Sequence, residues 1–582
     1  MSNVLSKMPN ISIPRSKFKQ EFNHSTSFQH GKLIPIDCFE ILPGDNYSLK
    51  LSSLIRMSTP IAPIFGNIEC YLHAFFVPMR LIWNDAEKFY GDPSNHDSIS
   101  SITPVDPSSV VVPNWKPTNG VYVEDDFCDA VTNYLGKPFC GGSGDVKAST
   151  VFLSCLKERG YYVIWNEYFR PSNLISSALI DKSSQTDVTS VGSWGSEYLS
   201  FFHPCMSVCK KYDYFTACTL SPQFGASVEL PLGDFAPLFA LDNAYEITDE
   251  ARSNFGQVKF QPTSGTFTGD HALYLNKDVL RIDSNNGTFG GSYNVGKTNL
   301  AVDLSEATAA TINSIRYAFQ VQKYLERSNY GSRFFEILNA HYGVTSPDGR
   351  LQRPDRLGYH KFYINVSQVL ATASSTTGSS TSQLGQTGAV SVTGDKVHLF
   401  DAAFTEPGYL YVMLDTKIDR SYAGGILRED KRQTRLEFYS PEFANLGDQA
   451  IYKNELALYS KFSDKTKFGD SAIFGYQEHW AEYRYRKDRV SGILNPTSTI
   501  QSGVSNLAFW TLADNYDSLD STSISLGLSA SFLFEDRNSL ARALVTGLAG
   551  PDYIADFHFE YIATRELPLY SIPGLIDHFG AL

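Results

Sequence analysis

Gly291–Thr298 reads GSYNVGKT and matches the pattern G-x-x-x-x-G-K-[ST] letter for letter. Taken at face value, this stretch decides the fold. Such a loop cradles phosphates with backbone N–H groups, reaches them with its Lys and holds Mg²⁺ through its hydroxyl. It works between a buried strand and the N-terminus of a helix, in an α/β sheet. The flanking residues do not supply that setting. DSNNGTFG before the motif is polar and turn-rich, and NLAVDL after it alternates Leu300, Val302 and Leu304 as a strand does. A capping-box signal arrives only with Asp303 and Glu306, ahead of Ile312, Ile315 and Phe319 on one helical face. That is too late to point at a phosphate. YLYVMLD, ending in Asp415, resembles a Mg²⁺-holding strand, yet any buried strand that ends in a turn looks like this. In a chain with 42 Gly the match is read as a chance glycine-rich loop, and no nucleotide-binding residue is assigned.

Outward from the motif, alternation of period two recurs. In NYSLKLS, Tyr47, Leu49 and Leu51 alternate with Ser48, Lys50 and Ser52. IECYLHAFF sets Ile68, Cys70, Leu72 and Ala74 against Glu69, Tyr71, His73 and Phe75, and KFYINVS and DFHFEYI repeat the pattern. These read as half-buried strands. Long polar stretches separate them, including a Ser/Thr/Gly-rich tract from Ala371 to Asp395 that reads as a flexible loop or surface excursion. Short helices are expected near Trp83–Gly91 and Ile164–Phe169. Strands far apart in sequence with long loops point to a sandwich or jelly roll rather than a βαβ sheet.

The 582 residues are 42% hydrophobic and 19% charged, enough for a sizeable core. An aromatic share of 13% favours strands and assembly surfaces. There is no apolar leader at the start and no apolar run long enough for a membrane span. His203, Cys205, Cys209 and Cys218 invite a zinc reading, but no second pair sits at a metal-binding offset, so buried free thiols are expected. Neither H-E-x-x-H nor G-x-S-x-G occurs. No catalytic residue, metal ligand or cofactor is assigned, and the chain is read as not an enzyme. The net charge of −13 argues against nucleic-acid binding over the whole surface. Residues 1–32 differ: Lys7, Arg15, Lys17, Lys19 and Lys32 against Glu21 give +5 − 1 = +4, a basic arm able to touch a polyanion.

Several longer blocks are more specific than any of these motifs. LPGDNYSLKLSSLIRMSTPIAPIFGNIECYLHAFFVPMRLIWNDAEKFYGD (Leu42–Asp92), WNEYFRP, YDYFTACTLSPQFG and the block Ile312–Gly358 resemble the major capsid proteins of Microviridae, the gokushovirus group above all. FYSPEFANLGDQAIYKNEL, FGYQEHWAEYRYRKDRVSG and RELPLYSIPGLIDHFG continue the likeness in family order to the C-terminus. Tyr212 departs from it, standing where members usually show a His. The resemblance implies a mainly β chain: one eight-stranded antiparallel jelly roll with very long inter-strand loops and a few short helices. It divides the chain into a basic arm (1–32), a first part of the jelly roll (33–225), an insertion forming a surface protrusion at the threefold axis (226–310) and a second part (311–582). GSYNVGKT falls in that insertion.

By the same resemblance, sixty copies form a T=1 icosahedral shell in the virion, assembled in the cytoplasm of the host bacterium around circular single-stranded DNA. A scaffolding protein, a DNA-pilot protein and a small basic DNA-binding protein are the implied partners. Arg15, Lys17 and Lys19 are the candidate DNA contacts, and the insertion is the candidate for attachment to an unknown host receptor. The rival readings are a glycan-binding jelly-roll spike or lectin and, more remotely, a P-loop NTPase.

Overall fold

The computed structural model describes residues 15–90, 110–116, 129–137, most of 152–226, 312–329, 333–343, 352–370, 387–456, 472–495, 510–513 and 527–569, with short strands inside 238–302 and 375–382. Eight strands carry the core: β1 (Ser16–Phe28), β2 (Ile34–Ile41), β3 (Asn46–Met57), β4 (Ile68–Pro78), β5 (Asp355–Ile364), β6 (Thr393–Ala403), β7 (Gly408–Ile418) and β8 (Tyr553–Arg565). They pair antiparallel in two four-stranded sheets, ordered β1-β8-β3-β6 and β5-β4-β7-β2. The chain changes sheet at every step except β4 to β5, so neighbours within a sheet are distant in sequence. This is the strand order of a jelly roll. Leu49, Leu51, Phe557 and Phe559 of one sheet and Leu72, Val412 and Leu414 of the other belong to one continuous buried core.

β3 and β8 alternate buried and open positions along their length, as NYSLKLS and DFHFEYI predict. β4 does not. IECYLHAFF reads as a half-buried strand, but every residue of β4 is buried, Glu69, Tyr71 and His73 included. The long connection between β4 and β5 is the reason. It returns helix α1 (Leu156–Ile164) onto the outer face of this sheet, in contact with β4 and β7. Gly160 lets the helix come that close. A Cβ there would sit 2.7 Å from Cζ of Tyr411 and nearer still to its hydroxyl.

The Ser/Thr/Gly tract is a second correction. Where it is described it is paired strand, in two short antiparallel pairs between β5 and β6: Val366–Leu370 with Thr387–Ser391, and Ser375–Thr377 with Ser380–Ser382. Its Thr and Val residues suit extended backbone, and its small side chains leave little alternation to read.

The turn between β2 and β3 is the LPGD of the sequence. Gly44 takes φ +89°, Asp45 accepts from the Leu42 amide at 2.9 Å, and Arg565 at the end of β8 reaches the same carboxylate at 2.7 Å. Only glycine adopts that backbone conformation without strain.

The chain divides into two compact units, residues 1–222 with 329–582, and residues 223–328. In the second, Leu238–Ala240 pairs with Leu300–Val302, Phe260–Pro262 with Val295–Thr298, and Ala272–Asn276 with Val279–Asp283. Helix α2 (Ile312–Ser328) closes it in sequence, and α3 (Phe334–Tyr342) follows in the first unit. The two points where the first unit is interrupted are tied within it. The Asn329 side-chain amide donates to the Ser221 carbonyl at 2.7 Å and to the Thr219 hydroxyl at 3.3 Å. Thr219 in turn exchanges backbone hydrogen bonds with Tyr476 at 2.7 and 2.8 Å.

Candidate functional site

The basic stretch at the N-terminus is sheet from Ser16 onward, where the sequence reads as an unpatterned arm; residues 1–14, with Lys7, lie outside the described residues. Its strand β1 pairs with β8 along its whole length, Lys17 opposite Thr564 and Lys19 opposite Ile562. The physical cause is an alternation hidden by charge. Phe18 packs against the core and the Phe22 ring, itself partly open to solvent, stacks on the buried Phe559 at 4.8 Å, so Lys17, Lys19 and Glu21 take the opposite, exposed face.

The three candidate DNA contacts are therefore in line along one edge strand. They differ in how much charge they have to offer. Arg15 bonds Glu566 at 2.9 Å, and Lys19 is ion-paired with Glu21. Lys17 has no ion-pair partner among the described residues. Further along the same face, Lys396 lies 3.5 Å from Glu560. Glu21, His558 and Glu560 place their ligand atoms within 4.8 Å of one another. Lys19 and Lys396 already meet the two carboxylates, which makes this a charge ladder across strands rather than a metal centre. A phosphate met on this face would be met by charge, which carries no sequence information.

The remaining motifs are placed elsewhere. Val295–Thr298, the VGKT of the nucleotide pattern, is a strand with Lys297 opposite Gln261, whereas the sequence reads it as a loop. Backbone paired in a ladder cannot cradle a phosphate. Gly291–Asn294 and the capping pair Asp303 and Glu306 lie outside the described residues. Asp415 is inside β7, fully buried, and is bonded by the His73 ring at 2.6 Å instead of facing a nucleotide. Burial alone would push its carboxyl up; His73 and Lys417 hold it below the usual Asp range.

Cys205, Cys209 and Cys218 are separate free thiols. The Cys209 thiol meets the Phe169 carbonyl at 3.3 Å, and that of Cys218 meets the Tyr214 carbonyl. Burial pushes Cys209 up to about 11, and Cys205 and Cys218 higher, so none is a thiolate at neutral pH.

One buried polar network has no counterpart in the sequence reading. Glu535 is ion-paired with Arg420 and lies 3.0 Å from the His30 ring, whose other nitrogen meets Thr416 at 2.9 Å. Asp552 accepts from the His30 amide at 2.9 Å and from Arg537 at 2.7 Å. This closes the end of the sandwich where β1 and β7 finish and β8 begins. A second set was missed for the same reason: Arg170, Lys210, Lys211, Arg333, Arg356 and Lys417 converge on one cavity from separate segments, and no run of charge announces them.

Comparison with known proteins points to one family. The family model described as "Capsid protein (F protein)" matches residues 6–575. Capsid protein VP1 of Chlamydia phage 1 is 31% identical over 99% of this chain and 98% of its own length. Capsid protein VP1 of Bdellovibrio phage phiMH2K is 30% identical over 98% of both. Capsid protein VP1 of Spiroplasma virus 4 is 29% identical over 97% of this chain and 96% of its own. The likeness therefore spans the inter-strand connections as well as the strands. The chain belongs to the capsid protein (F protein) family of phages, as a structural protein of a many-copy shell in the virion.

Proposed function

We propose that sixty copies of this chain close a T=1 icosahedral shell around circular single-stranded DNA, in the cytoplasm of a host bacterium, and that the chain carries no catalytic activity. The observation that carries the proposal is the end-to-end likeness to phage coat proteins, long connections included. Those connections supply contact surface between copies, where aromatic side chains give large area at low entropic loss. Closed symmetry repeats each modest contact around the shell.

Scaffolding and DNA-pilot proteins assist assembly in this reading, and a small basic protein supplies most of the charge that neutralises the genome. Arg15, Lys17 and Lys19 face the DNA and add to it. The segment 226–310 stands out from the shell at the threefold axis and attaches to the host. It lies within a compact unit of its own, which is the property that lets a surface segment vary independently of the core.

One gradient experiment tests these parts. Lysates of cells producing the phage are sedimented with nuclease treatment, for the wild type, for a triple charge reversal of Arg15, Lys17 and Lys19, and for a chain lacking 226–310. Uniform small particles protecting single-stranded DNA are expected for the wild type; material left at the top as monomer would overturn the shell. The charge reversal is expected to lower protected DNA per particle, and unchanged DNA would remove those residues from the contact. The deletion is expected to give particles that no longer adsorb to cells. Loss of the particles themselves would make the segment structural.

A further inference from the structure

Within the first unit, a cavity of about 890 Å³ opens over the outer face of the β5-β4-β7-β2 sheet. Its volume is in the range of ~300–1,000 Å³ usual for small-ligand sites. Tyr71, His73 and Phe75 of β4, Tyr359 of β5 and Lys417 of β7 line its floor, and residues from Tyr168–Leu174, Cys209–Leu220 and the start of α3 line the rest. The lining is one-sided in charge. Six cationic side chains reach it, and Glu336 is the one carboxylate among the lining residues.

The carboxylates nearest to these cations do not cancel them all. Lys211 reaches the buried Glu69 at 3.1 Å and Asp419 at 2.6 Å, and Lys417 lies 3.7 Å from the buried Asp415. Arg356 has no carboxylate partner among the described residues; it lies over the Tyr359 ring at 4.5 Å and touches the His73 ring at 3.3 Å. Arg333 is ion-paired with Glu336 at 3.3 Å and its Nε lies 3.7 Å from Glu167; no hydrogen bond reaches that Nε or the buried Nε of Arg170. Burial lowers the Arg170 guanidinium and the charge of Arg333 lowers it further, against the opposing charge of Glu167, so two guanidiniums share the field of one carboxylate. An anion with several oxygens relieves both, and planar guanidinium forks suit phosphate.

The lining also offers rings. Tyr212 is 87% exposed, a free face for stacking, and Tyr359 is about half exposed. Cations interleaved with open aromatic rings are the pattern of single-strand binding, in which phosphates meet charge and bases stack.

We propose that this cavity binds a nucleotide of single-stranded nucleic acid, with its phosphate at Arg170, Arg333 and Arg356 and its base against Tyr212. The chemistry stands on the cavity alone; that the strand is packaged DNA rests on the coat-protein reading above.

The test is fluorescence-anisotropy titration of a short labelled oligothymidylate with the full chain, its Tyr212→Ala and Arg356→Gln variants, and a Lys88→Gln comparison. Tyr212→Ala is expected to weaken binding about tenfold, as loss of one stacked base does. Arg356→Gln is expected to weaken it and to flatten its salt dependence by about one phosphate contact. Lys88→Gln, outside the cavity lining, is expected to change little. Unshifted melting temperatures establish that both cavity variants are folded, which the exposure of Tyr212 favours.

Competition separates the sources of the ligand: an oligonucleotide is expected to displace the probe at far lower concentration than thymidine monophosphate or inorganic phosphate. Equal competition by the mononucleotide would overturn the strand and leave a free-nucleotide site. Wild-type affinity in both cavity variants would overturn the site altogether. So would binding of a sulfated glycan that Tyr212→Ala weakens while oligonucleotide binding stays intact. Particle formation by the same variants reads the coat role separately. Particles with lost oligonucleotide affinity support the site, whereas intact affinity without particles from the wild-type chain counts against the coat reading alone.

Discussion

Glu535→Ala is expected to lower the unfolding free energy of the unassembled chain by about 3–5 kcal/mol. Both Glu535 and Arg420 are out of contact with solvent, and Glu535 also meets the buried His30 ring and the Ile418 amide. Removing the carboxylate leaves a guanidinium buried without its counter-charge, and that desolvation dominates the loss. The contrast is Glu566→Ala, which breaks an exposed pair with Arg15 and is expected to change stability by no more than about 1 kcal/mol. Denaturant unfolding of the two variants beside the wild type measures both. Similar small losses would mean that the buried network is not holding the end of the sandwich.

The same network sets an acid limit. Burial would raise the Glu535 carboxyl, but Arg420 and then His30 hold it below the ordinary value. A carboxyl depressed in the folded state stabilises it fully above the unfolded value, ~4.3 for Glu, and that stability is lost as pH falls through the folded value. Asp415 has the same sign. The melting temperature should therefore fall below about pH 4, and less steeply in Glu535→Gln.

Gly160→Val is expected to destabilise the chain by about 3 kcal/mol, the upper part of the range for overpacking. Alanine there would otherwise help, since Gly in a helix interior gives up roughly 0.5–1 kcal/mol. The position is closed to side chains because the Tyr411 ring occupies it. Tyr411 is fully buried and its hydroxyl is fixed on the Lys157 carbonyl at 2.7 Å, so the ring cannot swing aside. Tyr411→Phe removes the nearest atom and should recover part of the loss in the double variant, a coupling that the single variants do not show. A strictly additive pair would place the strain elsewhere.

These two sites mark where the sequence can be read and where it cannot. β3 and β8 are legible because each has one face in the core and one open, so hydrophobicity alternates with the backbone. β4 keeps the alternation of residue types but loses its meaning once α1 covers the second face, and a burial that depends on residues far along the chain leaves no local period. In β1 the lysines conceal a strand whose inward positions are carried by Phe18 and Phe22. The GSYNVGKT match misleads for the opposite reason, a local pattern whose chemistry depends on a setting that its own residues do not provide. Arg170 and Arg356, or Glu535 and Arg420, come together only through the fold, and pairing at such separations is invisible to composition and spacing alike.

The amide of Asn329 on Ser221 bears on inheritance. Because that hydrogen bond and the Thr219–Tyr476 bridge fix the join inside the first unit, the sandwich depends little on what is strung between the two ends. Doubling the length of such a segment adds only about 0.6 kcal/mol of closure entropy, less than one poor substitution beneath α1. Lineages can therefore lengthen, shorten or recombine the segment in a single event and still inherit a folded coat, while the residues around Gly160 and Glu535 can change only slowly and in concert.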